Sequence, residues 1–337
     1  MAARPTLAIY WASSCGGCEI AFANLHDRLL DLDARFQLVF CPCLMDAKTK
    51  DLRSMPDGGI DITLFNGAVR TKENEEMAAL MRRKSRVLVA YGACAAGGGV
   101  PALSNLSTAE EHFASIYLEN PSIDNPARTL PREATRVPEG ELRLPRFYER
   151  VKTLAQTVSV DYTIPGCPPE PQTIWNALVP FVQGGELPPA GAVLGAGRSS
   201  VCDECRKTRK DKKITSLGRF HEIAPDSETC LLEQGILCMG VATRDGCGAL
   251  CPEVNMPCAG CYGPPEGVHD QGAKMAGALG AILEIETQKG RTAEEVCRRV
   301  DSLIRKVPDP VGTFYKFGLA SSLLAGASRR RKAGTKE

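Results

Sequence analysis

The sequence predicts an α/β protein in which a flavodoxin-like, doubly wound parallel sheet is followed by an irregular, cysteine-rich domain with a few helices. Three observations predict it. Through the first 184 residues, short β-branched or aromatic runs alternate with segments of helical periodicity, the pattern of parallel strands joined by crossover helices. The cysteines of this half fall just after strand-like runs, hence at one edge of the sheet. Beyond a Gly/Pro-rich stretch, regular periodicity stops and eight cysteines crowd into the sixty residues from 202 to 261.

Thr6 to Trp11 (TLAIYW) has the character of a buried strand, and Phe22, Leu25, Leu29, Leu32 and Phe36 then recur at spacings of three and four, predicting one helical run. Ser14-Cys15-Gly16-Gly17-Cys18-Glu19 lies between them as a strand-to-helix turn. Ligands bind at that edge of an open sheet, and a helix N-terminus favours the thiolate. A metal or metal cluster is therefore expected on Cys15 and Cys18. Phe36 to Cys41 and Ile60 to Phe65 supply strands two and three. Thr71 caps a helix over 71–84, with Glu73, Glu75 and Glu76 in its first turn and Arg82, Arg83 and Lys84 in its last, as the helix dipole favours.

Val87 to Tyr91 is the fourth strand and runs into Gly92-Ala93-Cys94 and Gly97-Gly98-Gly99. Ser107 or Thr108 caps a helix over 109–118. The five prolines of 119–145 predict an extended surface insertion. A helix over about 146–158 is expected to lead to the fifth strand, Val160 to Ile164, and to Gly166-Cys167-Pro168-Pro169. Cys15, Cys18, Cys94 and Cys167 thus share one sheet edge. Four thiolates in Gly- and Pro-rich loops suit an iron–sulfur cluster, because small residues let backbone N–H groups approach the sulfurs; four-thiolate zinc is the alternative.

The division expected is a sheet domain over 1–184, a linker over 185–199, a metal domain over 200–310 and an extension over 311–337. Cysteines 202, 205, 230, 238, 247, 251, 258 and 261 make two four-ligand sites, which would staple a segment poor in periodic structure. Two zinc ribbons are again the alternative. Asp270 to Glu284 reads as a small-residue helix. Thr292 and Glu295 form a capping box for another, with Val296, Val300, Leu303 and Val307 as its buried face. Cys297 reads as an ordinary buried thiol. Cys41 and Cys43 read as structural, lining the first site without ligating it.

Composition narrows the function. A net charge of +1 gives no footprint for nucleic acid. The basic run Arg329 to Lys332 reads as the strong positive cluster of the chain and as a solvated end. Fifteen cysteines without a signal peptide predict a cytoplasmic protein whose thiols serve metal. The best apolar run, Gly318 to Ala327, is too short for the roughly 18 residues of a membrane span.

With these loops in place, the chain resembles the small, electron-transferring subunit of nickel–iron hydrogenases, whose N-terminal half is shared with the smallest cluster-bearing subunit of respiratory complex I. The resemblance is carried by Cys15-Gly-Gly-Cys18-Glu19, Gly92-Ala-Cys94, Pro165-Gly-Cys167-Pro-Pro, and Cys247-Gly-Ala-Leu-Cys251-Pro-Glu-Val-Asn-Met-Pro-Cys258-Ala-Gly-Cys261. It implies three 4Fe–4S clusters: proximal on Cys15, Cys18, Cys94 and Cys167, medial on Cys247, Cys251, Cys258 and Cys261, and distal on Cys202, Cys205, Cys230 and Cys238. Many relatives carry histidine in place of Cys202 and proline in place of Cys251. An all-cysteine set implies a complete medial 4Fe–4S cluster and more reducing sites.

The resemblance further implies a nickel-bearing large subunit as partner and an electron-accepting flavin or iron–sulfur protein. The insertion at 119–145 and the lack of an export signal look like the cytoplasmic, viologen-reducing (F420-non-reducing) type. Glu19 has two readings. An acid in a first helical turn is stabilised by the dipole whatever its function, and the family reading makes it a proton relay beside the nickel site. A complex-I-like quinone reductase subunit would share the first half only and leave the eight later cysteines without use. A zinc-stapled structural protein and a free-standing ferredoxin-like carrier are the remaining rivals.

Overall fold

The computed structural model describes residues 4–183, 185–210, 213–284, 292–307 and 309–324. Its strands are β1 Thr6–Trp11, β2 Gln37–Phe40, β3 Ile60–Asn66, β4 Val69–Thr71, β5 Ser85–Tyr91, β6 Ala134–Val137, β7 Gly140–Arg143, β8 Phe147–Lys152 and β9 Tyr162–Ile164. Five of them form one parallel sheet in the order β2-β1-β3-β5-β9. That order is the flavodoxin-like one, with the chain reversing direction across the sheet beside β1.

Helices of the first half are α1 Gly17–Ala23, α2 Arg28–Arg35, α3 Thr49–Ser54, α4 Lys72–Lys84, α5 Gly92–Gly97, α6 Ala109–Ala114 and α7 Pro171–Gln183. Alternation along the strands divides the core into two layers. Leu7, Ile9, Ile62, Leu64 and Val89 pack with Phe22, Leu32, Ile174 and Leu178 of α1, α2 and α7. Ala8, Phe65, Leu88 and Ala90 pack on the other face with Leu52, Met77 and Met81 of α3 and α4. At α4 the expected cap is present: Thr71 Oγ1 accepts from the Asn74 N–H at 3.2 Å, and the Asn74 side chain accepts in return.

Two expected elements are corrected. The run from Phe22 to Phe36 is two helices, broken where His26 adopts a left-handed φ of 53° and Asp27 accepts from the Arg28 N–H at 3.2 Å. Polar side chains at 24, 26 and 27 compete for the backbone and stop the first helix. The helix expected over 146–158 is instead β8, antiparallel to β4. Phe147 receives the Arg70 guanidinium 4.0 Å from its ring centre, while Tyr148 and Lys152 bond the Glu75 carboxylate at 2.5 and 2.9 Å. Aromatic strand propensity and these distant partners outweigh the helical spacing. In the insertion at 119–145, β6 and β7 form a largely exposed hairpin.

Residues 191–194 run beside β9, with the Thr163 N–H donating to Ala192 at 3.1 Å and the Leu194 N–H to Thr163 at 2.8 Å. The second half holds α8 Val201–Glu204, α9 Leu250–Glu253, α10 Gln271–Ile282, α11 Ala293–Ile304 and α12 Pro310–Phe314. Thr292 caps α11 in a capping box with Glu295. Leu303 and Val307 are buried, whereas Cys297 is exposed, so the expectation of a buried thiol there is corrected. After α12 the chain returns to the first half. Leu319 and Ala320 pack with Cys94, Ala102 and Val151, and Gln156 Nε2 donates to the Ala320 carbonyl at 2.7 Å. The basic run 329–332 lies outside the described residues.

Candidate metal centres

The first centre is built where β1, β5 and β9 end at one edge. β1 delivers Cys15 and Cys18, α5 carries Cys94, and Cys167 follows β9. Cys15 is exposed, Cys18 and Cys94 are buried, and Cys167 is between the two. Burial, then the neighbouring Glu19 carboxylate, then Cys94, Cys167 and Cys15 push the Cys18 thiol far up. Cys94 is pushed up to about 12, chiefly by burial and then by Cys167 and Cys15. For Cys18, burial therefore overrides the thiolate preference expected at a helix N-terminus. Thiolates this close repel one another unless a cationic group binds them.

The backbone is shaped to leave room for such a group. Gly92 has φ +83°, and a Cβ there would lie 2.5 Å from the Cys18 sulfur; Gly99, at φ +59°, would place one 2.5 Å from the Cys94 sulfur. A side chain at either position would collide with a thiol of the set. Among the described residues, no three His, Cys, Asp or Glu side chains close to single-ion spacing. Four convergent cysteines are a donor set that an iron–sulfur cluster fits.

In the second half, Cys202, Cys205, Cys230 and Cys238 line one cavity. Burial pushes Cys202 up to about 12, and Cys238 and Cys230 add to the shift. Gly240 lets the chain pass there, since a Cβ on it would lie 3.3 Å from the Cys202 sulfur and 3.7 Å from that of Cys238. Cys247, Cys251, Cys258 and Cys261 form the other group. Cys261 is pushed up to about 12 by burial first, with Cys247 and Cys251 contributing, and Cys258 is raised by burial with Cys238 and Cys261 contributing.

The three thiol groups lie in series. The Cys167 backbone and thiol stand close enough to the Cys261 sulfur to act on it electrostatically, and the Cys238 sulfur accepts from the Cys258 N–H at 3.3 Å. The Tyr262 hydroxyl accepts from the Glu170 N–H at 2.9 Å and pairs with Thr173 Oγ1 at 3.0 Å, which holds the second half against the loop after Cys167.

Glu19 is half-buried on α1. Asn66 Nδ2 donates to both carboxylate oxygens at 2.7 and 2.8 Å and lies 3.0 Å from Ser14 Oγ. Asn66 is fully buried, and its Oδ1 has no hydrogen-bond partner among the described residues. Sequence reasoning missed this residue; its signal is a lone amide at the end of an apolar strand. Cys41 is buried with its sulfur receiving backbone hydrogen bonds from Cys43 and Leu44, and Cys43 is exposed; Glu19 acts on both. A second miss is basic. Six of the eight residues from Arg206 to Lys213 are Lys or Arg, so the run at 329–332 is not the only strong positive cluster.

Residues 15–181 match the family model described as NADH ubiquinone oxidoreductase, 20 Kd subunit. The chain is 39% identical over 324 residues to the iron-sulfur subunit of the F420-non-reducing hydrogenase of Archaeoglobus profundus, covering 94% of this chain and 97% of that one. Against the corresponding F420-non-reducing hydrogenase chain of Methanothermobacter marburgensis it is 32% identical, covering 96% and 97%. The fold matches a chain of the Dm. baculatum [NiFeSe]-hydrogenase with a TM-score of 0.50 at 19% identity, over 79% of this chain and 96% of that one. Among the described residues, no helix is long and apolar enough to cross a membrane. With this much sequence shared along nearly its whole length, the chain belongs to the family of F420-non-reducing hydrogenase iron-sulfur subunits.

Proposed function

We propose that the chain is the electron-transfer subunit of a nickel–iron hydrogenase, holding three 4Fe–4S clusters between a nickel-bearing large subunit and a low-potential flavin or iron–sulfur acceptor protein. Cys15, Cys18, Cys94 and Cys167 hold the proximal cluster, Cys247, Cys251, Cys258 and Cys261 the medial one, and Cys202, Cys205, Cys230 and Cys238 the distal one. When bound, the clusters supply one-electron transfer along the chain. The observation that carries this reading is the serial placement of the three thiol groups, Cys167 beside Cys261 and Cys258 against Cys238.

The chain's own residues do three things. Gly92, Gly99 and Gly240 let backbone approach the Cys18, Cys94 and Cys202 sulfurs without a side chain in the way. Trp11, Ile20 and Leu44 are 46%, 62% and 54% exposed near the Cys15 end, an apolar surface for the large subunit. Glu19, aimed by Asn66, is the proton-carrying group at that end, and it is within reach of solvent. Only Cys41, Cys43 and Cys297 remain outside the three sets, so nickel belongs to the partner.

Iron and acid-labile sulfide analysis of the anaerobically purified complex, with EPR of the reduced protein, tests the ligand sets. About twelve irons on this chain are expected. About four, or zinc in the second half, overturns the three-cluster reading.

A further inference from the structure

Two buried hydroxyls carry a continuous line of hydrogen bonds from the first centre to the medial thiol group. Thr173, on α7 of the first half, and Tyr262, directly after Cys261, are 1% and 4% exposed. The Glu170 N–H, in the loop after Cys167, donates to the Tyr262 hydroxyl at 2.9 Å. That hydroxyl pairs with Thr173 Oγ1 at 3.0 Å, and Thr173 Oγ1 donates at 3.2 Å to the carbonyl of Gly246, directly before Cys247. A carbonyl can only accept, so the Thr173 proton is committed to Gly246 and the Tyr262 O–H must donate to Thr173. The direction is thereby fixed, from Glu170 through Tyr262 and Thr173 to Gly246.

Each hydroxyl gives one bond and accepts one, so the line is satisfied throughout, and a satisfied buried network is rigid. Its backbone ends and its tyrosine lie within three residues of Cys167, Cys247 and Cys261, one thiol of the first centre and two of the medial group. The loop that receives it is held from the other side as well. Glu204, on α8 with Cys202, accepts from the Gly246 and Gly248 N–H groups at 2.7 and 3.0 Å. Gly246 is thus tied through its carbonyl to the first half and through its N–H to the helix that carries Cys202. Valine and phenylalanine would fill the same space without making these bonds, so packing alone does not call for the two hydroxyls.

Supporting hydrogen bonds of this kind hold functional groups to within about 0.5 Å of their working geometry. Electron exchange between two centres falls steeply with their separation, so the same bonds act on its rate. We propose that Thr173 and Tyr262 are positioning residues that set the gap between the first centre and the medial one. A single electron crosses that gap, and no bond forms or breaks. The inference rests on reading both thiol sets as iron–sulfur clusters.

The test uses the assembled hydrogenase and the single variants Thr173→Val, Tyr262→Phe and Thr173→Ser. The first two remove a link at nearly constant volume, and the third keeps the hydroxyl. In the reduced parent, the first and medial centres are expected to broaden each other's EPR signals. Thr173→Val and Tyr262→Phe should weaken that mutual broadening and slow reduction of the medial centre by hydrogen severalfold, with about twelve irons retained. The interaction between the medial and distal centres should stay as in the parent, and Thr173→Ser should match the parent throughout. Parental broadening in both link-breaking variants, at full iron, overturns the positioning role alone. So does a serine variant as altered as the valine one, equal weakening at the medial–distal gap, or loss of medial iron from both variants, which would make the hydroxyls builders of the site and not its spacers. A fully loaded parent without mutual broadening overturns the serial placement and the proposal. A parent with about four irons, or with zinc in the second half, overturns the cluster reading itself and the proposal with it.

Discussion

The two halves of the molecule rely on their thiols to different degrees. In the first, a two-layered core of Leu, Ile, Val and Phe surrounds the sheet, and of the four thiols at its edge only Cys18 joins those layers. In the second, cysteines are part of the core: Cys258 is buried among Val201, Met239, Met275 and Leu279, and Cys205, Cys230, Cys238 and Cys247 pack against the same group. A sheet that buries its own apolar faces folds whether or not the edge is loaded. Where thiols take the place of aliphatic side chains, a bound metal group completes the core and contributes directly to folding.

Removing iron is the strongest way to break this comparison. Stripping the reduced protein with acid and chelator should abolish amide protection over 199–261 while β1, β3 and β5 keep theirs, because a structural metal site contributes on the order of 10 kcal/mol. Hydrogen exchange read by mass spectrometry makes the measurement. Equal loss in both halves would remove the distinction.

Glu19 sharpens it at the chemical level. The first centre has a carboxylate held by a side-chain amide, whereas Glu204 in the second half is held by two backbone N–H groups. Glu19→Gln should lower hydrogen turnover in the assembled complex on the order of a hundredfold with all iron retained. Normal turnover would leave Glu19 a stabilising first-turn acid and nothing more.

Gly92→Ala addresses the edge itself. The substitution forces a side chain onto a left-handed residue, at about 1–3 kcal/mol, and drives a carbon against the Cys18 sulfur. Iron should fall by about four per chain, with the EPR signals of the second half intact. Loss of all iron would show that the halves assemble as one unit. The smallest effect is expected at Thr292→Ala, which removes the cap of α11 and should cost about 1 kcal/mol without changing iron content. Chemical denaturation followed by far-UV dichroism would register it.

Much of the first half is readable locally. β1, β3 and β5 announce themselves by apolar runs of strand length, and α4 by Thr71 and its charge order, since propensity and capping act between residues a few positions apart. The break at His26 and the strand at Phe147–Lys152 are harder. The first turns on one left-handed residue, the second on pairing with Val69–Thr71 and on Arg70 and Glu75. Spacing within the segment carries no trace of those partners.

The sequence by itself determined the fold class, the loops that carry thiols, and the one edge on which Cys15, Cys18, Cys94 and Cys167 meet, because a parallel α/β sheet puts every strand end of one polarity on one side. Only the tertiary structure decided that Asn66 grips Glu19, that Leu319 and Ala320 return to Cys94, that Cys167 lies beside Cys261 and Cys258 against Cys238, and that Thr173 joins Tyr262 to Gly246. Most of those contacts join residues tens to hundreds of positions apart, and their free energy depends on burial and geometry that no local pattern encodes.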